Sequence, residues 1–277
     1  MLRTLKELHN YTIGASDGVI GQVKDLYLDD ATWVVRYLVV ETGTWLASKK
    51  VLISPMAIGK PDWAQRLLPV SLTRDQVKNS PDVDTEKPVT RQHELAYSDY
   101  YGYPDYWGGL GYWGGGLYPY MMLSSYAGAT ALHAMHHDAD GAQALPDARH
   151  DESADPHLRS CAAIVGYHLH TSDGEIGHVC GMLIDDATWA VRYLIIDTSN
   201  WWIGHQMLVA PSWIEAASWT DATVSVKLTR QAVKDAPVYD ASKHLTRADE
   251  ALLHEHYERA GYWVEDEKHG TGIARIW

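Results

Sequence analysis

The sequence predicts a mainly β protein with α (α+β): two tandem small β-barrels, each followed by short C-terminal helices. Three observations carry this expectation. The chain matches itself at an offset of 156 residues, each copy reads as strands first and helices second, and the composition is that of a globular protein. Apolar residues make up 46% and charged residues 21% of the 277 positions, enough for a sizeable core. Acidic side chains outnumber basic ones by 36 to 23. A chain this acidic lacks the basic face that phosphate recognition needs, so no nucleic-acid partner is expected.

The duplication is read directly from the residues. SDGVIGQV at 16–23 falls on SDGEIGHV at 172–179, and DDATWVVRYLVV at 29–40 falls on DDATWAVRYLII at 185–196. From Tyr11 to Trp107, 37 of 97 positions are identical to those 156 residues later, without a gap. Two copies of this length are ordinary domains rather than units of a solenoid. The expected organisation is a first repeat over 1–107, a linker over 108–157, and a second repeat with a tail over 158–277.

Within each copy, strands are expected over Val19–Leu28 and Trp33–Glu41, where alternation and β-branched residues dominate. Gly18 and Gly174 sit in the tight turn before the first of these, and Gly21 and Gly177 interrupt its alternation. Asp29-Asp30 and Asp185-Asp186 form polar turns whose carboxylates can accept from nearby backbone N–H groups. Adjacent carboxylates at a strand end point to opposite sides, so a shared metal or proton is disfavoured. Two shorter strands follow, over Val51–Ser54 and Leu68–Leu72. Thr73 with Gln76 makes a capping box, and Thr90 starts a second helix that runs toward Tyr101; Thr229 and Thr246 repeat both caps. Arg36 and Arg192 lie in mid-strand among apolar neighbours and need partners, with Asp29, Glu41, Asp185 and Asp197 as candidates. Trp33, Tyr37 and Trp63, with Trp189, Tyr193 and Trp219, are kept in both copies and are read as structural.

These residues resemble a known family. The pattern SDGxIGxVxxxxxDDxTWxVRYL, the LTRxxVK helix after the last strand and the terminal YxxxxYW resemble the PRC-barrel domain, over Tyr11–Trp107 and again over Tyr167–Trp263. That family includes the cytoplasmic domain of the photosynthetic reaction-centre H subunit and the C-terminal barrel of the ribosome-maturation factor RimM. The resemblance implies a barrel that docks onto partners rather than a catalyst. It also raises, as an alternative, a soluble auxiliary of a photosynthetic or other electron-transfer membrane complex.

The linker is compositionally distinct. From Tyr106 to His137 there is no Asp, Glu, Lys or Arg, but seven glycines and seven aromatics. Trp107, Tyr112, Trp113, Tyr118 and Tyr120 are the candidate interaction residues, as groove-filling side chains or as a contact for a protein partner or membrane interface. His133, His136 and His137 would share one face of a helix, so the alternative is a metal- or small-ligand-binding protein using these histidines, where no fourth donor for a divalent metal is specified, or a groove between the barrels. No cofactor and no catalytic motif is predicted. Cys161 and Cys180 match neither a disulfide framework nor a CxxC motif. With no apolar segment at the start, a cytoplasmic protein without a transmembrane span is expected, self-associating or bound to another protein, with peripheral membrane contact still open.

Overall fold

The computed structural model describes residues 1–81, 89–107, 111–113, 116–120, 122, 157–198 and 205–269. It is α+β, with two sheets and short helices after each. In the first half, β1 (Leu2–Thr4) leads into a one-turn helix (Leu5–Leu8). It is followed by β2 (Thr12–Ala15), β3 (Gly18–Asp29), β4 (Val34–Thr42), β5 (Lys50–Ile53) and β6 (Leu67–Pro69), then helices Arg74–Lys78 and Arg91–Tyr101. The second half repeats the order. β7 (Leu158–Ser160) and helix Cys161–Ile164 precede β8 (His168–Thr171), β9 (Gly174–Asp185), β10 (Val191–Asp197) and β11 (Gln206–Val209). β12 (Ile214–Ser218), β13 (Thr223–Val226) and helices Arg230–Lys234, Arg247–His256 and Tyr262–His269 complete it.

The expected barrels, closed or half-closed, are corrected by the sheets, neither of which closes on itself. One runs β5-β4-β3-β2-β6 with β7 added on β3; the other runs β11-β10-β9-β8-β13-β12 with β1 added on β9. The terminal strands are only three to five residues long, and other groups meet two of them. The Tyr97 hydroxyl donates to the Leu52 carbonyl on β5. The Tyr239 N–H donates to the Gln206 carbonyl on β11 at 2.7 Å. Capping an edge in this way removes the need to close it.

The registers of the two sheets agree at the 156-residue offset. Leu38 pairs with Ile53 as Leu194 pairs with Val209. β2 lies parallel to β6 with Thr12 beside Leu67, and β8 lies parallel to β13 with His168 beside Thr223. The expected central strand is β4, whose residues Val34–Val40 are all buried, as sheets covered on both faces require. It starts one residue later than expected, because Trp33 takes φ 55° and Trp189 takes φ 61°. This left-handed backbone is costly for a bulky residue. It is offset by a reciprocal exchange in which Val35 N–H donates to the Trp189 carbonyl and Val191 N–H to the Trp33 carbonyl, each at 2.8 Å.

By contacts the chain forms two compact units that are interleaved along the sequence. The first comprises Met1–Asn10, Thr32–Val35 and Ser160–Trp277; the second comprises Tyr11–Ala31 and Arg36–Arg159. Among the described residues, no helix is long and apolar enough to cross a membrane.

Gly21 and Gly177 are held by space rather than by φ. A Cβ on Gly21 would lie 2.0 Å from the Glu41 carbonyl oxygen, and one on Gly177 2.2 Å from that of Asp197. Either position changed to Ala should cost about 2 kcal/mol or more, because backbone must move. Gly59→Ala, whose Cβ would meet nothing closer than 3.7 Å, should cost well under that. Urea midpoints of the three variants check the ranking.

Candidate functional site

The most constrained cluster lies where the long helix of each repeat meets its central strand. In the second unit, the Arg36 guanidinium is almost fully buried. It stacks 3.9 Å from the Tyr106 ring centroid and 4.9 Å from that of Trp113, and donates to the Tyr112 carbonyl. Burial lowers the Arg36 pKa, while Tyr106, Asp29 and Glu94 act to hold its charge. Of the acids expected to pair with it, Glu41 instead faces Lys24 at 3.8 Å.

A second arginine completes the stack. The helix Arg91–Tyr101, capped by the Thr90 hydroxyl, places Arg91 and Glu94 one turn apart, with Nη1 to Oε2 at 3.0 Å. Arg91 lies 4.3 Å from the Trp107 ring and donates to the Tyr106 hydroxyl at 3.2 Å. The Tyr106 hydroxyl in turn donates to Glu94 Oε1. Tyr97, one turn further along the helix, packs edge-on against Tyr37 at 5.1 Å. Glu94 is 2% exposed. Its burial outweighs Arg91 and the Tyr106 hydroxyl, and its pKa is pushed up to about 7.

The first unit rebuilds this arrangement from the second repeat. Arg192 lies 3.9 Å from the Tyr262 ring, Arg247 lies 4.4 Å from the Trp263 ring, and Arg247 pairs with Glu250 at 3.0 Å. Tyr193 and Tyr262 donate to Glu250 at 3.1 and 2.8 Å. The closure differs. Where Arg36 meets the aromatic stretch, Arg192 meets Asp185 at 3.1 Å and Asp266 at 2.8 Å. Burial alone would raise the Asp185 pKa, but Arg192 and the Ala187 N–H hold it below the usual carboxylate value. His254 replaces Ser98 of the first copy; it sits 5.0 Å from both Trp213 and Trp263, with Nε2 3.0 Å from the Tyr193 hydroxyl. Burial lowers its pKa, which favours the neutral imidazole.

The remaining candidates fall into place around these clusters. Asp29 and Asp185 accept from the N–H two residues on, from Ala31 and Ala187, each at 3.0 Å. Asp30 and Asp186 face elsewhere, toward Arg159 at 2.8 Å and Arg3 at 3.4 Å. Gly18 and Gly174 take φ 143° and 133° in their turns. Trp63 meets Tyr11 edge-on at 5.8 Å, and Trp219 lies 6.3 Å from Trp33. Of the interaction residues, Trp113 is fully buried, Tyr112 lends its carbonyl to Arg36, and Tyr118 stacks on Tyr120 at 5.5 Å with Tyr120 55% exposed. His133, His136 and His137 lie outside the described residues. Among the described residues, no three His, Cys, Asp or Glu side chains come together as metal donors. Cys161 and Cys180 are free thiols. The pairing of Arg91 and Arg247 with these helix-start glutamates carries no recognised motif, although R-x-x-E at the same place in both copies is the available signal.

The comparisons agree with this frame. The chain carries a PRC-barrel domain, whose family model matches residues 7–60, the stretch that holds β2 to β5. An uncharacterized protein of Deinococcus radiodurans is 38% identical over 66 residues, or 24% of this chain and 23% of that one. The chain thus spans about a quarter of the length of that relative.

What this cluster does chemically is hold a buried cation and, at Glu94, a proton. A glutamate whose pKa is raised by folding stabilises the fold fully below its unfolded value. That contribution is lost as pH rises through the folded value, here between about 4.5 and about 7. Glu94→Gln should therefore flatten the pH dependence of unfolding in that window, by up to about 1.4 kcal/mol per pH unit. Parallel urea titrations of both proteins at pH 5, 6 and 7 measure it. Trp113→Ala should cost about 3–5 kcal/mol, and Tyr120→Ala less than about 0.5, read in the same assay.

Proposed function

We propose that the protein is a non-enzymatic docking scaffold of two PRC-barrel-like repeats, bound to a protein partner through the aromatic stretch that follows the first repeat. The observation that carries this reading is the division of labour within that stretch. Trp113 is fully buried as an anchor, whereas Tyr120, stacked on the half-buried Tyr118, is more than half exposed. An anchored segment presents its outer aromatics without the ordering cost a free linker would incur on binding. Tyrosine is among the residues most enriched at binding hot spots, being large, rigid and amphipathic. Within each arginine cluster the guanidiniums, glutamates and tyrosine hydroxyls meet ring or ionic partners of the same cluster, which suits a support rather than a reaction centre.

The partner is another polypeptide or a second copy of the chain, consistent with a family whose barrels often bind proteins. The second repeat, with the same element order and the same arginine–tyrosine stack, is read as a PRC-like unit in its own right.

Native mass spectrometry of protein gently purified from its own cells tests the reading. A species heavier than the 31.0 kDa chain is expected. Tyr118→Ala with Tyr120→Ala should weaken that species at least about thirtyfold, the equivalent of one hot spot of about 2 kcal/mol. A bare chain, or a complex that the double variant leaves intact, would sink the proposal.

A further inference from the structure

The 156-residue match reaches back beyond Tyr11, to Leu2-Arg3-Thr4 and Leu158-Arg159-Ser160. Each of these short arms precedes one repeat in sequence, yet each pairs with the long strand of the other. In the first unit, β1 runs antiparallel to the end of β9, with Leu2 beside Asp185 and Thr4 beside Leu183. In the second unit, β7 pairs with β3.

The contacts that hold the arms correspond in both places, with one difference: the Met1 ammonium also meets Asp186 at 2.6 Å, where His157 Nδ1 lies 3.7 Å from Asp30. Asp186 N–H donates to the Met1 carbonyl and Asp30 N–H to the His157 carbonyl, each at 2.9 Å. The carboxylate of the same aspartate takes the arm's arginine, Arg3 on Asp186 at 3.4 Å and Arg159 on Asp30 at 2.8 Å. All four of these side chains are less than a fifth exposed. Thr4 and Ser160 then each cap a one-turn helix with the side-chain oxygen, and Leu8 and Ile164 on those helices are buried.

We propose that the end of the long strand together with the second aspartate of DDATW is a self-recognition site. It takes the Leu-Arg-(Thr/Ser) arm of another repeat of this kind, so that neither repeat is complete alone. The partner is thus a second repeat, supplied here by the same chain. Three arguments support exchange rather than coincidence. Both arms are displaced to the other repeat, both use the same backbone and ionic contacts, and the arm residues are nearly interchangeable. A reciprocal contact between like surfaces is the isologous arrangement that pairs two copies of one protein. This inference is independent of the Tyr118–Tyr120 reading, because it concerns a different surface.

The test keeps the whole chain. A site for a sequence-specific protease is inserted between residues 140 and 150, and the purified protein is cut once. The two pieces should co-elute as one particle at micromolar concentration. In a nicked protein carrying Arg3→Ala and Arg159→Ala, they should part at a concentration at least about tenfold higher, since two partly buried charge-assisted bonds are lost. Lys227→Ala, at an exposed ion pair, should change nothing. If the arginine variant folds poorly, the isosteric pair Asp30→Asn and Asp186→Asn gives the same readout. Pieces that separate at micromolar concentration without any substitution overturn the proposal, as do pieces that hold equally tightly in both variants.

Discussion

An arginine in the middle of a buried strand is the constraint on which each repeat is built. Arg36 and Arg192 sit in β4 and β10, where almost every other side chain is apolar and buried. Taking a guanidinium out of water costs several kcal/mol unless its charge and its donors are met. A strand cannot do this from its own neighbours, because adjacent side chains alternate away from it. The solution comes from seventy residues downstream in both copies, where Tyr106 and Tyr262 lay their rings over the cation at 3.9 Å. The helix before each tyrosine is positioned by the same need. It brings Arg91 or Arg247, which extends the stack, and Glu94 or Glu250, which accepts the tyrosine hydroxyl. The sheet and its helical arm are therefore one structural unit, tied by a cation rather than by apolar packing alone.

Given that shared frame, the copies differ in how the cation is closed off. Arg36 is sealed by aromatic rings and a backbone carbonyl, a dry environment that leaves the nearby Glu94 carboxyl reluctant to ionise. Arg192 is sealed by the two carboxylates Asp185 and Asp266. His254 enters beside Glu250, in place of Ser98 beside Glu94. The Gly/Tyr/Trp stretch is thus partly structural: its carbonyl and its Trp113 complete the first repeat's stack. That role explains why so glycine-rich a stretch keeps its aromatics. The glycines allow the tight approach of Gly111 to the Gly116 backbone, which folds the chain back and drives Trp113 inward.

Much of this was legible in the residues. The duplication, the central strand and the helix starts at Thr73, Thr90, Thr229 and Thr246 follow from local patterns: identity at a fixed offset, β-branched runs and capping oxygens. Three features were not. The arms Leu2–Thr4 and Leu158–Ser160 are too short for any periodicity to mark them as strands, and their partners are more than 120 residues away. The backbone of Trp33 and Trp189 is set by a reciprocal hydrogen-bond exchange, which no propensity encodes, since tryptophan ordinarily favours the strand. The open sheets could not be told from closed ones, because closure depends on what meets the short edge strands, and here Tyr97 and Tyr239 meet two of them from outside the sheets. For the site, Arg36 and Arg192 were visible as charges out of place and Asp185 was legible as a partner of Arg192, but the tyrosines and Asp266 that complete the two sites were hidden by distance in sequence.

The DDATW motif shows why identical residues in two copies need not mark chemistry. Its two aspartates have separate work, although in the second copy both carboxylates lie within 4 Å of the Met1 ammonium, Asp186 at 2.6 Å and Asp185 at 3.9 Å. The first folds back on its own turn, accepting from the N–H two residues on. The second turns outward to the arm, through its backbone N–H and its carboxylate together. The tryptophan that follows reverses the backbone so that the next residue can join the reciprocal exchange. A catalytic dyad would need the two carboxylates to share one proton; here each has donors of its own, so a single short turn fastens both its own strand and the arm of the other repeat.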